Sequence, residues 1–135
     1  MSSSASDFLS ELPPGFNGLL GIRYDEVGPD GVTLSLDVRP DLHQPYGIVH
    51  GGVWCSLVET AASVAAARWY GDRGRVVGVA NHTDFLHAVE EGTVTAVASP
   101  IHRGRLQQLW LVEIRNADTR LVARGEVRIQ NLPRS

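Results

Sequence analysis

The sequence predicts an α+β domain: an antiparallel sheet of five to six strands wrapped around one long central helix. Three observations carry that reading. Residues 53–70 form a run without Pro or Gly that is apolar nearly all the way round, the pattern of a helix enclosed by other structure. The segments on either side of it read as strands separated by hairpin turns. A length of 135 residues with 43% hydrophobic content is enough for one domain with its own core.

The elements follow in order. Residues 1–18 combine a Ser-rich start with a short apolar patch (Phe8, Leu9, Leu12), and Pro13, Pro14 and Gly15 then stop any helix. An N-terminal extension or short helix, docked as a frayed turn, is expected there, with the domain itself over 19–131 and a tail at 132–135. Residues 19–27 read as a strand ending in the turn Gly28-Pro29-Asp30-Gly31. In the next strand Val32, Leu34, Leu36 and Val38 alternate with Thr33, Ser35 and Asp37, the period-two pattern of a sheet with one buried face. Residues 40–49 are irregular, with Pro40, Pro45 and Gly47, and lead to His50-Gly51-Gly52 and the helix. Beyond Gly71-Asp72-Arg73-Gly74 come four strands, near 76–86, 93–102, 106–115 and 121–130. Gly92, Gly104 and Asn116-Ala117-Asp118 punctuate them. The continuous apolar stretch Leu109-Trp110-Leu111-Val112 marks a central or interface strand.

Bulk properties remove several function classes. A net charge of −3, a pI near 5.9 and twelve scattered Lys and Arg residues do not make the basic stripe that nucleic acid requires. A membrane span is disfavoured by Glu59, Thr60 and Ser63 inside the apolar run. Cys55 is the only cysteine, and the five histidines lack HExxH-like spacing, so neither an internal disulfide nor a metal site is expected. The start has no basic region followed by an apolar one, so a cytoplasmic protein is expected.

Glu59 is the residue that folding alone does not explain. An ionised carboxylate in so apolar a helix costs several kcal/mol unless partners satisfy it. Cys55 and Ser63, one turn away on the same face, offer only a thiol and a hydroxyl. The bland alternatives are a solvent-facing stripe or an arginine partner. Cys55 is a poor nucleophile candidate, because a carboxylate one turn away raises a thiol pKa. At the start of the helix, Gly51 and Gly52 leave backbone N–H groups uncovered by side chains, suited to an anion or a developing oxyanion. They serve equally to turn the chain into the helix. Glu59 lies eight residues past Gly51, about 12 Å along the axis, too far for one small reacting group to touch both. If both serve one substrate, the N-terminus of one subunit's helix must face Glu59 of another, across a two-fold axis.

The segment QPYGIVHGGVWCSLVETAAS resembles the signature of hotdog-fold thioesterases of the 4-hydroxybenzoyl-CoA and phenylacetic-acid-pathway (PaaI-like) type. Weaker matches extend over 19–131, including 81–89 and Gly104-Arg105. The resemblance implies hydrolysis of an acyl-coenzyme A thioester, with an aromatic, aryl-acetyl or medium-chain acyl group. Glu59 would be nucleophile or general base, Gly51 the N–H donor to the thioester oxygen, His50 and Gln44 a polar pair on the opposite wall, and Ser63 the hydroxyl that holds the acid or water. Trp54, Cys55 and Phe85 would border the acyl pocket, with Phe85 standing where some relatives carry a polar residue. Coenzyme A, part of the substrate rather than a cofactor, has phosphates for which Arg103 and Arg105 are the candidate partners. The family also implies dimers, or dimers of dimers, with the site between subunits. The rival readings are a same-fold acyl-thioester hydratase or dehydratase, whose phenylalanine-proline-glycine signature is missing, and a non-catalytic acyl-CoA-binding or sensing domain.

Overall fold

The computed structural model describes residues 13–135. Its order is α1 (Gly15–Leu20), β1 (Arg23–Gly28), β2 (Gly31–Val38), a 3-10 turn (Pro40–Leu42), α2 (Gly51–Tyr70), a second 3-10 turn (Gly71–Arg73), β3 (Gly74–Phe85), β4 (Gly92–Arg103), β5 (Gln107–Arg115) and β6 (Leu121–Pro133). The six strands form one antiparallel sheet in the order β1-β2-β4-β5-β6-β3. The helix α2 lies on one face of the sheet and touches all six strands. This is the hotdog arrangement. None of the helices among the described residues is long and apolar enough to cross a membrane.

Strand alternation places the core. Gln108, Trp110, Val112 and Ile114 of β5 point inward and are fully buried, as are Leu34 and Leu36 of β2 and Val127 and Ile129 of β6. Against them α2 buries Trp54, Leu57, Val58, Ala61, Ala62, Ala65 and Ala66. Each large aliphatic or aromatic side chain so enclosed contributes about 1.5–3 kcal/mol, and the alanines let the helix approach the sheet closely.

Three expectations need correction. The prolines before residue 15 do not stop a helix but start one: Pro14 is the N-cap of α1, where a fixed φ and a missing N–H do no harm. Gly21 then ends α1 in the left-handed conformation (φ 83°), its N–H bonding to Asn17 and Gly18 carbonyls, so β1 begins at Arg23 rather than at residue 19. The apolar patch of Phe8, Leu9 and Leu12 lies outside the described residues. At the other end, Leu132 and Pro133 are not tail but continue β6, paired with Arg75 and Gly74 of β3. Finally, α2 is not enclosed all round. Gly52, Ser56, Ser63 and Ala67 stay partly open, because one concave sheet covers only one side of a helix, and the half-buried Glu59 lies along the same stripe with its carboxylate reaching edge strand β3. Small and polar residues follow each other along that stripe, and Glu59 is in its middle.

Candidate active site

Glu59 sits half-buried in the third turn of α2, beside edge strand β3. Both of its carboxylate oxygens are held. Ser63 Oγ, one turn further along, donates to Oε2 at 3.2 Å, and Asn81 Nδ2 of β3 donates to Oε1 at 3.1 Å. The same Asn81 nitrogen donates to the Cys55 carbonyl at 3.1 Å, and Thr83 Oγ1 donates to Asn81 Oδ1 at 2.7 Å. Among the described residues no basic side chain forms an ion pair with Glu59. On its other side the carboxylate opens onto a groove between α1 and α2, lined by Phe16, Asn17, Ser56, Thr60, Ser63 and Val64. Asn17 is fixed there by Thr60 Oγ1, which donates to its Oδ1 at 3.1 Å, and by its own Nδ2, which donates to Tyr24 Oη at 3.3 Å.

The start of α2 forms the second part. His50 is the N-cap, its Nδ1 accepting the Gly52 N–H at 2.7 Å, and its carbonyl takes the Val53 N–H at 2.9 Å. That leaves the Gly51 N–H without a hydrogen-bond partner among the described residues. Of the two glycine amides expected to be free, the structure keeps one. Gln44 lies in the preceding tight turn, where its N–H donates to the Ile48 carbonyl at 2.8 Å and its Oε1 accepts the Tyr46 N–H.

Other expected site residues are distributed differently. Trp54 is 3% exposed and packs in the core, so it does not line a pocket in the chain as folded. Phe85, 57% exposed, lies over Gly51 rather than next to Glu59. Cys55 is half-buried, and its carbonyl accepts the Asn81 side-chain amide. Arg103 is engaged elsewhere, bonded to Asp30 Oδ1 at 2.8 Å and to the Pro29 carbonyl at 3.0 Å. Arg105 borders an open cleft with His102, Gly104, Leu106, Gln107 and Gln130. Asn81, Thr83 and Asn17 did not stand out in the sequence. The signal for Asn81 was an amide in a strand otherwise rich in valine, which by itself also fits a surface position.

An acid of this kind, presented on the open stripe of a hotdog helix behind a His-Gly-Gly entry, defines a class: the chain belongs to the thioesterase superfamily, whose sequence profile matches residues 46–123, and it is a thioester hydrolase. Among its relatives is the esterase-named Rv1847 of Mycobacterium tuberculosis, 52% identical over 120 residues covering 87% of this chain and 86% of that one. The solved structure of that protein superposes with a TM-score of 0.87, covering 89% of this chain and 98% of that one. The structure of AziG from S. sahachiroi superposes equally well, with a TM-score of 0.87 at 50% identity over 88% and 97% of the two chains. The 1,4-dihydroxy-2-naphthoyl-CoA hydrolase of Escherichia coli is 33% identical over 104 residues, 77% of this chain and 76% of the relative.

Proposed function

We propose that the protein hydrolyses an acyl-coenzyme A thioester to the free acid and coenzyme A, in a site shared by two subunits. The observation that carries this reading is the environment of Glu59. Its carboxylate is held by a hydroxyl and an amide, is free of any ion pair among the described residues, and faces a groove. A structural carboxylate is ordinarily neutralised by a cation, whereas one kept for attack on a carbonyl, or for taking a proton from water, must remain available.

The complementary donor is the Gly51 N–H, where the helix dipole adds partial positive charge to stabilise the oxyanion. Since α2 is continuous from Gly51 to Tyr70, the two groups of one chain remain about 12 Å apart along the axis. A second subunit removes the difficulty. The strand β3 is an outer edge of the sheet and exposes Val77 and Val79, 46% and 53% accessible, and such an edge invites pairing with another strand. Antiparallel pairing of β3 with its copy sets the two α2 helices side by side in opposite directions, so that Gly51 of one approaches Glu59 of the other. His50 and Gln44 then form the wall facing Glu59, and Ser63 orients the acid or the water.

Coenzyme A as carrier is supported by the name of the Escherichia coli relative, and that name favours an aromatic acyl group over an aryl-acetyl or medium-chain one. Of the two arginines, Arg105 is the better candidate for a phosphate, because it borders an open cleft whereas Arg103 already bonds Asp30. The test is thiol release from benzoyl-, phenylacetyl- and octanoyl-CoA by the native protein, Glu59→Ala and Glu59→Gln. The variants should lose about 10²–10⁴-fold in turnover with substrate binding retained. Undiminished turnover by both would end this assignment.

A further inference from the structure

The strand opposite Glu59 is built out of register in the one place that matters to the carboxylate. Gly78 pairs with Ile129 of β6 and Ala80 with Arg128, so Val79 is an extra residue, a bulge. In an unbroken strand, residues 78 and 81 would point to opposite faces, because side chains alternate with period two. The extra residue reverses the phase. Both Gly78 and Asn81 therefore face α2, as do Thr83 and Phe85, while His82 and Asp84 turn outward, 3.2 Å apart. A Cβ at Gly78 would stand 2.1 Å from Glu59 Oε2: the carboxylate occupies the volume a side chain would fill. Asn81 closes the seat from the other end, with its amide nitrogen on Glu59 Oε1 and its amide oxygen held by Thr83.

We infer that this bulged segment is a seat for the catalytic carboxylate, with Asn81 and Gly78 as positioning residues that fix the direction in which Glu59 meets the thioester. The inference rests on the reading of Glu59 given above. A glutamate side chain has three rotatable bonds, and Ser63 alone restrains one oxygen. The Asn81 amide restrains the other, and the missing side chain at residue 78 lets the group settle against the strand backbone. Loosening a reacting group by about 1 Å can cost about a hundredfold in rate.

The test compares Asn81→Ala, Asn81→Asp and Gly78→Ala in the full-length protein, by thiol release on whichever of benzoyl-, phenylacetyl- and octanoyl-CoA the native protein turns over fastest. Asn81→Asp keeps the shape and removes the donor. Gly78→Ala leaves Asn81 intact and displaces only the flexible end of Glu59, so it is expected to fold. The expected result is a kcat about 10–100-fold lower in all three, with KM within about threefold and thermal midpoints near the native one. Asn81→Ala should add no further loss when Glu59 is already alanine, because its effect passes through that residue. A residue that merely fastened β3 to α2 would lower the midpoint and act equally in either background. Native kcat in Asn81→Asp and Gly78→Ala, together with a dead Glu59→Ala, would overturn the seat and leave the role of Glu59 standing. Activity in Glu59→Ala, or no thiol release from any of the three substrates by the native protein, would instead overturn the reading beneath it.

Discussion

The ring of Phe85 lies directly above Gly51: a Cβ at residue 51 would stand 2.4 Å from ring carbon Cε2 and 2.6 Å from Cζ. The glycine that opens α2 thus leaves room for the ring, and its N–H has no hydrogen-bond partner among the described residues. Because Phe85 is largely exposed, its ring can be removed at small cost, which separates the two roles. Gly51→Ala alone should lower kcat, and pairing it with Phe85→Ala should restore most of it. Gly51→Pro with Phe85→Ala should not. His50 already has the extended backbone (φ −63°, ψ 134°) that precedes proline, and the first helical position tolerates proline, so this variant folds yet lacks the N–H. The loss should be about 10²–10³-fold in kcat, as for an oxyanion donor.

Part of this candidate site was legible in the sequence, for reasons that also explain what was not. Glu59 stood out because an acid in an apolar run is energetically conspicuous, and its partner Ser63 followed from helical spacing. Trp54, expected at the pocket, packs in the core of the chain; α2 is apolar on nearly every side, so the sequence carries little information about which side meets the sheet. Arg103 looked available because Asp30 is 73 residues away in the chain. The bulge at Val79 left no mark, since the segment reads as an ordinary strand and the extra residue exists only relative to β6.

Beneath the cleft that holds Arg105 is a buried polar network. Gln108 Nε2 donates to Asn131 Oδ1 at 2.8 Å, Trp110 Nε1 donates to Gln108 Oε1 at 2.8 Å, and Asn131 Nδ2 donates to the Gly104 and Arg105 carbonyls at 3.0 and 3.1 Å. Asn131→Leu removes the near acceptor of Gln108 Nε2, leaving it only the Ala66 carbonyl at 3.4 Å, and removes the donor to the Gly104 and Arg105 carbonyls, at about 1–3 kcal/mol for each group left buried without a partner. The thermal midpoint should fall by about 5–10 °C, measured by calorimetry at a fixed protein concentration. Gln130→Leu, whose side chain is only partly buried, should change it little.

Asp37 couples β2 to β1 and β4. Hydrogen bonds from Arg23, at 2.8 and 3.1 Å, and then from Thr93, at 2.7 Å, hold its carboxyl below the usual aspartate range. A carboxyl depressed on folding stabilises the fold above its unfolded pKa, about 3.9, and that contribution fades as pH falls through the lower folded value. Asp37→Asn should therefore melt earlier than the native protein at about pH 6, with the gap closing below about pH 3. High salt should also narrow the gap, because the pair is half exposed. A gap independent of pH would assign the effect to shape instead of charge.

The proposed sharing of the site between two subunits can be tested without a structure of the assembly. Glu59→Ala retains a working Gly51 end, and the Gly51→Pro, Phe85→Ala variant retains a working Glu59. Each alone should be nearly inactive. If one chain's helix start serves the other chain's carboxylate, a mixed dimer contains one site with both functional groups and one with neither. Unfolding and refolding the two variants together in equal amounts makes about half the dimers mixed, so about a quarter of native activity should return. If each chain instead completed its own site, every site in every mixed dimer would lack one group, and no activity would appear. The rise with mixing ratio separates the cases further: it should peak at equal amounts and fall on either side, a profile that contamination by native protein cannot produce.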